Sequence, residues 1–212
     1  MKLNNISKCF YINLEERKDR QYHCKLNINF DCIRSDAISF RDVVSPNPKI
    51  SNAEYACYLS HLNIWKQIKK EKISTTLVLE DDVVLSSNFA DDWNKNYCHF
   101  IPENFDIIYF GGCLNSQHYH KIIKKHNIFF NTIKVNNFFE KQNKYWHMTT
   151  EAYLLSYKFC DKLLQLIAAS DFSAPLDHFM STSVMESQCY HLHSLPIYQN
   201  SLLFSSIQKK SV

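Results

Sequence analysis

Thr75-Thr76-Leu77-Val78-Leu79-Glu80-Asp81-Asp82-Val83-Val84-Leu85 is the stretch that decides the fold. Five uncharged residues, rich in β-branched and aliphatic side chains and unbroken by Gly or Pro, run straight into three carboxylates. A short, continuous apolar run of this kind reads as a buried parallel strand. Acids at the carboxyl end of such a strand stand where open α/β sheets bind ligands. Held together, they repel one another unless a proton or cation intervenes, and a hard divalent ion with oxygen ligands answers that need. A solvated acidic turn is the plainer reading of the same residues. Alternation along an extended strand puts Glu80 and Asp82 on one face and Asp81 on the other.

Outward from this strand the pattern is α/β. Cys9 to Asn13 reads as a first strand, residues 17–26 as a polar helix and 30–37 as a second strand. Ser45-Pro46-Asn47-Pro48 marks a loop. Ser51 or Asn52 then caps a helix carrying Glu54 in its first turn, with Ala56, Leu59, Leu62, Trp65 and Ile68 at near-helical spacing and Lys69, Lys70 and Lys72 at its end. Residues 105–110 predict another buried strand, 149–156 a strand and 157–169 an amphipathic helix. A helix opens near Pro175. Residues 191–198 suggest a last strand, confined to an edge by Pro196. Residues 115–143, polar and aromatic, are expected to form an irregular insertion over the active face of a single domain spanning 1–212. The tail, 208–212, is expected to fray.

Composition narrows the function. The 212 residues are 45% apolar and 21% charged, enough for one sizeable core and unlike a disordered chain. The net charge of +3 makes no case for nucleic acid. Gly111 and Gly112 are the chain's 2 glycines, which rules out a Gly-rich phosphate loop and the dinucleotide fingerprint. The 8 cysteines form no CxxC pair, which argues against structural zinc. The first residues have no apolar signal core and no stretch reaches membrane-spanning length. A cytoplasmic protein with reduced thiols, in a bacterium or a virus-infected cell, is the expectation.

Three segments point to one family: Tyr11-Ile12-Asn13-Leu14-Glu15-Glu16-Arg17-Lys18-Asp19-Arg20, then Ala56-Cys57-Tyr58-Leu59-Ser60-His61 with Trp65, then Leu79-Glu80-Asp81-Asp82. In this order and spacing the chain resembles the family 25 glycosyltransferases, which include lipopolysaccharide and collagen hydroxylysine galactosyltransferases. Thr149 to Ser156 and Pro175-Leu176-Asp177-His178-Phe179 are similar too. The resemblance implies a GT-A type, Rossmann-like fold with a mixed, mainly parallel sheet and flanking helices. It implies a UDP-sugar donor, UDP-galactose or UDP-glucose, with Mn²⁺ or another divalent metal, and transfer with inversion to a glycan or hydroxylysine-type acceptor. One departure stands out: the family carries Gly-Glu-x-Gly ahead of the Cys, and this chain has Ala53 and Ala56 at the two glycine positions.

Roles follow from chemistry and resemblance together. Asp82, with Glu80, would hold the metal against the diphosphate; Glu80 could instead contact the ribose, and Asp81 is a donor contact or a structural acid. Arg17 and Arg20 suit phosphate, because a guanidinium bonds it bidentately. Asn13 and Asp19 either touch the donor or order the loop. Ser60 and His61 face the nucleotide or pack; Thr150 is a further donor contact. Asp177 is the candidate base, with a helix cap as the alternative. Trp146 and His147 precede the late strand, where an aromatic ring could stack on sugar or base. His118 with His120, and His191 with His193, lack a third ligand. Two other functions compete: a catalytically inactive interaction module on the same fold, and a metal-dependent phosphoryl-transfer enzyme or nuclease.

Overall fold

The computed structural model describes residues 1–110, 132–134, 139–142, 150–184, 187–192, 197–200 and 203. Its strands are β1 (Lys8–Asn13), β2 (Ile33–Asp36), β3 (Thr75–Glu80), β4 (Val83–Val84), β5 (Ile107–Tyr109), β6 (Thr132–Lys134), β7 (Phe139–Gln142), β8 (Ala152–Ser156), β9 (Cys189–Leu192) and β10 (Tyr198–Gln199). Its α-helices are α1 (Lys18–Asn27), α2 (Asn52–Glu71), α3 (Phe89–Asp92), α4 (Tyr157–Ala168) and α5 (Leu176–Ser183).

Eight strands form one mixed sheet in the order β2-β1-β3-β8-β5-β9-β7-β6. β1 lies parallel between β2 and β3, with Tyr11 opposite both Arg34 and Leu79. β8 runs antiparallel between β3 and β5, and β9 is parallel to β5. Only β8 and β7 oppose the direction of the other six. Small antiparallel β4 and β10 pair apart from this sheet.

Both faces of the sheet are dry along β1, β3, β5 and β8, as their unbroken apolar runs demand. Alternation splits β3: Leu77 and Leu79 join one core with Phe89, Trp93 and Phe110, while Val78 joins the other with Trp65, Tyr153 and Phe159. Helix α2 covers the second face for 20 residues. Ser51 starts it through a capping box: Glu54 N–H donates to Ser51 Oγ (3.2 Å) and Ser51 N–H to Glu54 Oε2 (2.7 Å). Lys72 ends it in the left-handed region, at φ 55°. Each such end is local chemistry, so these boundaries could be read from the chain.

Three expectations change. β9 is buried and central, between β5 and β7, where an edge strand was expected. Pro196, on which that expectation rested, lies outside the described residues. Within 115–143, expected to be irregular, β6 and β7 form an antiparallel pair on the sheet. Their β-branched Thr132 and Ile133 suit strands, but runs this short leave little periodic signal. The acidic strand stops at Glu80, and Asp81 and Asp82 sit in a turn, so alternation does not separate their faces. Gly111, Gly112, His118, His120, Trp146, His147, His193 and the tail 208–212 lie outside the described residues.

Candidate active site

The carboxyl ends of β1 and β3, the amino-terminal half of α2 and the start of α5 enclose a cavity of about 380 Å³. This volume suits a bound small molecule. Arg17, Arg20, Ser60, His61, Glu80, Asp81, Asp82, Thr150 and Asp177 all line it. Residues from five separate segments therefore converge on one place.

Asp81 anchors the acidic turn. Asn13 Nδ2 donates to its Oδ2 (2.8 Å), and Arg20 Nη1 to its Oδ1 (2.5 Å). Arg20 Nη1 also lies 3.3 Å from Asp82 Oδ2. Asn13 accepts from Arg34 Nε at 3.1 Å. Both carboxylate oxygens of Asp81 are thus engaged by Asn13 and Arg20, while the residue still lines the cavity. Asn13, expected at the donor, does not line the cavity, because it is buried between Asp81 and Arg34. Asp19 does not line it either: its carboxylate holds the fork of Arg17, at 2.9 and 2.7 Å. Ser60 faces the cavity with its hydroxyl already engaged, donating to Ala56 O (2.7 Å) and accepting from Ile38 N–H (2.9 Å). It clips the chain after β2 onto α2.

Asp82 differs from Asp81. It is buried; its Oδ2 accepts from Gln199 Nε2 at 3.1 Å, and its Oδ1 has no hydrogen-bond partner among the described residues. Burial, then the charge of Glu80, lifts its carboxyl to about 7. A buried acceptor left bare is costly unless a cation or donor arrives. Glu80 accepts from Thr150 Oγ1 (2.6 Å), and its Oε1 lies 3.7 Å from His61 Nε2. Burial raises the Glu80 carboxyl, but His61 and Thr150 outweigh it and hold the group below its ordinary value. Asp177 sits in the first turn of α5. Its Oδ1 accepts the His178 N–H at 2.8 Å, and burial pushes its carboxyl up, with the charge of Glu80 adding to the effect.

The cavity also has contributors beyond the candidate site residues. Gln199 comes from two-residue β10, which pairs with β4 just beyond the acidic turn; such a short pairing has no sequence signature. Cys57 lies one helical turn before His61, a spacing that was visible on α2. Ala53 and Ala56 line the cavity wall.

Residues 6–180 match the family described as glycosyltransferase family 25 (LPS biosynthesis protein). The chain belongs to this family. Its fold is of the α/β, GT-A type. It is 25% identical, in an alignment that covers 96% of the chain, to the procollagen lysyl hydroxylase and glycosyltransferase of Acanthamoeba polyphaga mimivirus. It is 25% identical, in an alignment that covers 81% of the chain, to human procollagen galactosyltransferase 2. The chain spans only 23% and 29% of those two relatives' own lengths. Its fold is similar to that of a solved glycosyltransferase involved in glycosylation of the major capsid of PBCV-1, with TM-score 0.50, 8% identity and 93% of each chain covered. Among the described residues, no helix is long and apolar enough to cross a membrane.

Proposed function

We propose that this family 25 enzyme moves galactose or glucose from a UDP-sugar to a hydroxyl with inversion, supported by a divalent cation of the Mn²⁺ class. The observation that carries the proposal is the bare, buried Oδ1 of Asp82 beside Glu80 in a cavity that also presents Asp177. A hard-ion donor set of this kind fits the cation the family resemblance implies. Asp82 and Glu80 would hold it. When bound, the ion neutralises the charge that develops on the departing diphosphate.

The chain's own residues do the rest. Arg20 offsets part of the charge of Asp81 and Asp82 and keeps the turn folded. Arg17, on the cavity wall, faces the same anionic group from the start of α1. Asp177 takes the acceptor proton: the acceptor oxygen bonds to the anomeric carbon, the bond from that carbon to the diphosphate oxygen breaks, and the hydroxyl proton passes to the carboxylate. A carboxyl raised by burial is a stronger base for this step. The procollagen names of the two relatives favour hydroxylysine in a collagen-like peptide as the first acceptor to try.

The test is UDP release across UDP-galactose, UDP-glucose and their N-acetyl forms, with Mn²⁺ or EDTA, and with a hydroxylysine peptide or a glycan as acceptor. Cation-dependent release from one donor, with gain of one hexose on one acceptor, supports the reading and names both substrates. Absence of both release and UDP binding overturns it.

A further inference from the structure

Cys57, His61 and Glu80 bring one sulfur, one nitrogen and one oxygen to within 4.8 Å of one another. This set differs in kind from the all-oxygen pair of Glu80 and Asp82. Cys57 and His61 stand four residues apart on α2, so one helix face presents both. His61 Nε2 is already 3.7 Å from Glu80 Oε1. A tetrahedral N–Zn–S pair built from ordinary zinc bonds has its ligand atoms about 3.5 Å apart. Small side-chain rotations would therefore close the trio around an ion.

The surroundings are those of a held ligand set. His61 is buried, and its Nδ1 lies 2.8 Å from the hydroxyl of Tyr153. That hydroxyl accepts Trp65 Nε1–H at 3.1 Å, and the His61 and Tyr153 rings stack with centroids 5.7 Å apart. In the tautomer that carries its proton on Nδ1 and donates it to Tyr153, Nε2 would offer its lone pair to an ion on the side of Glu80. Fixing the far nitrogen of a ligating His in this way orients the ring and sets its tautomer. Thr150 fixes Glu80 by donating to its Oε1. The cavity beyond leaves a fourth position open to water.

We propose that Cys57, His61 and Glu80 form a binding site for a borderline-soft divalent ion of the zinc class. Thiolate and imidazole select such ions over Mg²⁺ or Mn²⁺. On binding, the Cys57 S–H bond breaks, sulfur donates its pair to the ion and the proton leaves to solvent. The proposal stands independently of the donor reading; only one consequence rests on that reading, namely that Glu80 is shared and the two ions compete for it.

The experiment is titration of the reduced, metal-free protein with Co²⁺, without nucleotide. The expected result is a near-ultraviolet thiolate-to-cobalt band saturating at one equivalent and bleached by Zn²⁺. Cys57→Ser should abolish the band, His61→Gln should weaken Co²⁺ binding at least tenfold, and Asp82→Asn should keep the band. No band in the wild-type protein, or an undiminished band in Cys57→Ser, overturns the site. A second readout needs no variant: Zn²⁺ should slow alkylation of Cys57, followed by peptide mass, at least tenfold while leaving Cys32 unchanged. Equal alkylation rates with and without Zn²⁺ overturn it too. Because neither readout uses UDP or sugar, failure of this site and failure of the donor reading are separable.

Discussion

Arg20 grips two acids at once: its Nη1 is 2.5 Å from Asp81 Oδ1 and 3.3 Å from Asp82 Oδ2, with all three side chains at least nine-tenths buried. Removing one partner of a buried pair strands the other charge. Arg20→Met should cost about 3 kcal/mol, lowering the melting temperature by about 8 °C. Thermal and urea melts in EDTA check this. A variant that melts with the wild type would show that the guanidinium does not hold the turn.

Arg17 predicts the opposite balance. Its partner Asp19 is more than half exposed, so their pairing carries little stability. Arg17→Ala should leave the melt within about 1 kcal/mol of wild type, while raising the donor KM about tenfold, the scale of one lost charge-assisted contact. An unchanged KM would remove Arg17 from the donor site.

Asp82 sets a pH dependence. Its folded value of about 7 stands above the ordinary 3.8. The folded chain therefore binds this proton more tightly than the unfolded chain, and protonation favours folding. The contribution is complete below about pH 4 and is lost as pH rises to about 7. In EDTA, the wild-type melting temperature should fall relative to Asp82→Asn across that window, by on the order of 10 °C. Parallel profiles for the two proteins would contradict the assignment.

These expectations depend on contacts that the chain discloses unevenly. β1, β3 and the capped start of α2 were legible because each is local: an unbroken apolar run, or Ser51 three residues before Glu54. The convergence of Glu80, Asp82, Arg20 and Asp177 followed from resemblance and strand-end logic. The division of labour between Asp81 and Asp82 was left open, because it depends on Asn13 reaching 68 residues along the chain. Periodicity likewise could not show that Ser60 is spent on Ile38 and Ala56. Nor could it find Gln199, whose strand is two residues long, or place β9 centrally, because sheet order is a long-range property.

Asp177→Asn separates chemistry from binding. The amide keeps the shape but cannot take the acceptor proton. Turnover should fall at least ~100-fold, with UDP affinity within about twofold of wild type by calorimetry. Normal turnover would remove Asp177 from the base role.

The most direct test of the central claim is calorimetric UDP binding, with and without Mn²⁺, in the wild type and in Asp82→Asn. The acidic turn, acting through the ion, should tighten UDP binding in the wild type by about 100-fold, close to 3 kcal/mol, and by almost nothing in the folded variant. An Asp82→Asn protein that binds UDP with Mn²⁺ as tightly as the wild type would contradict the account.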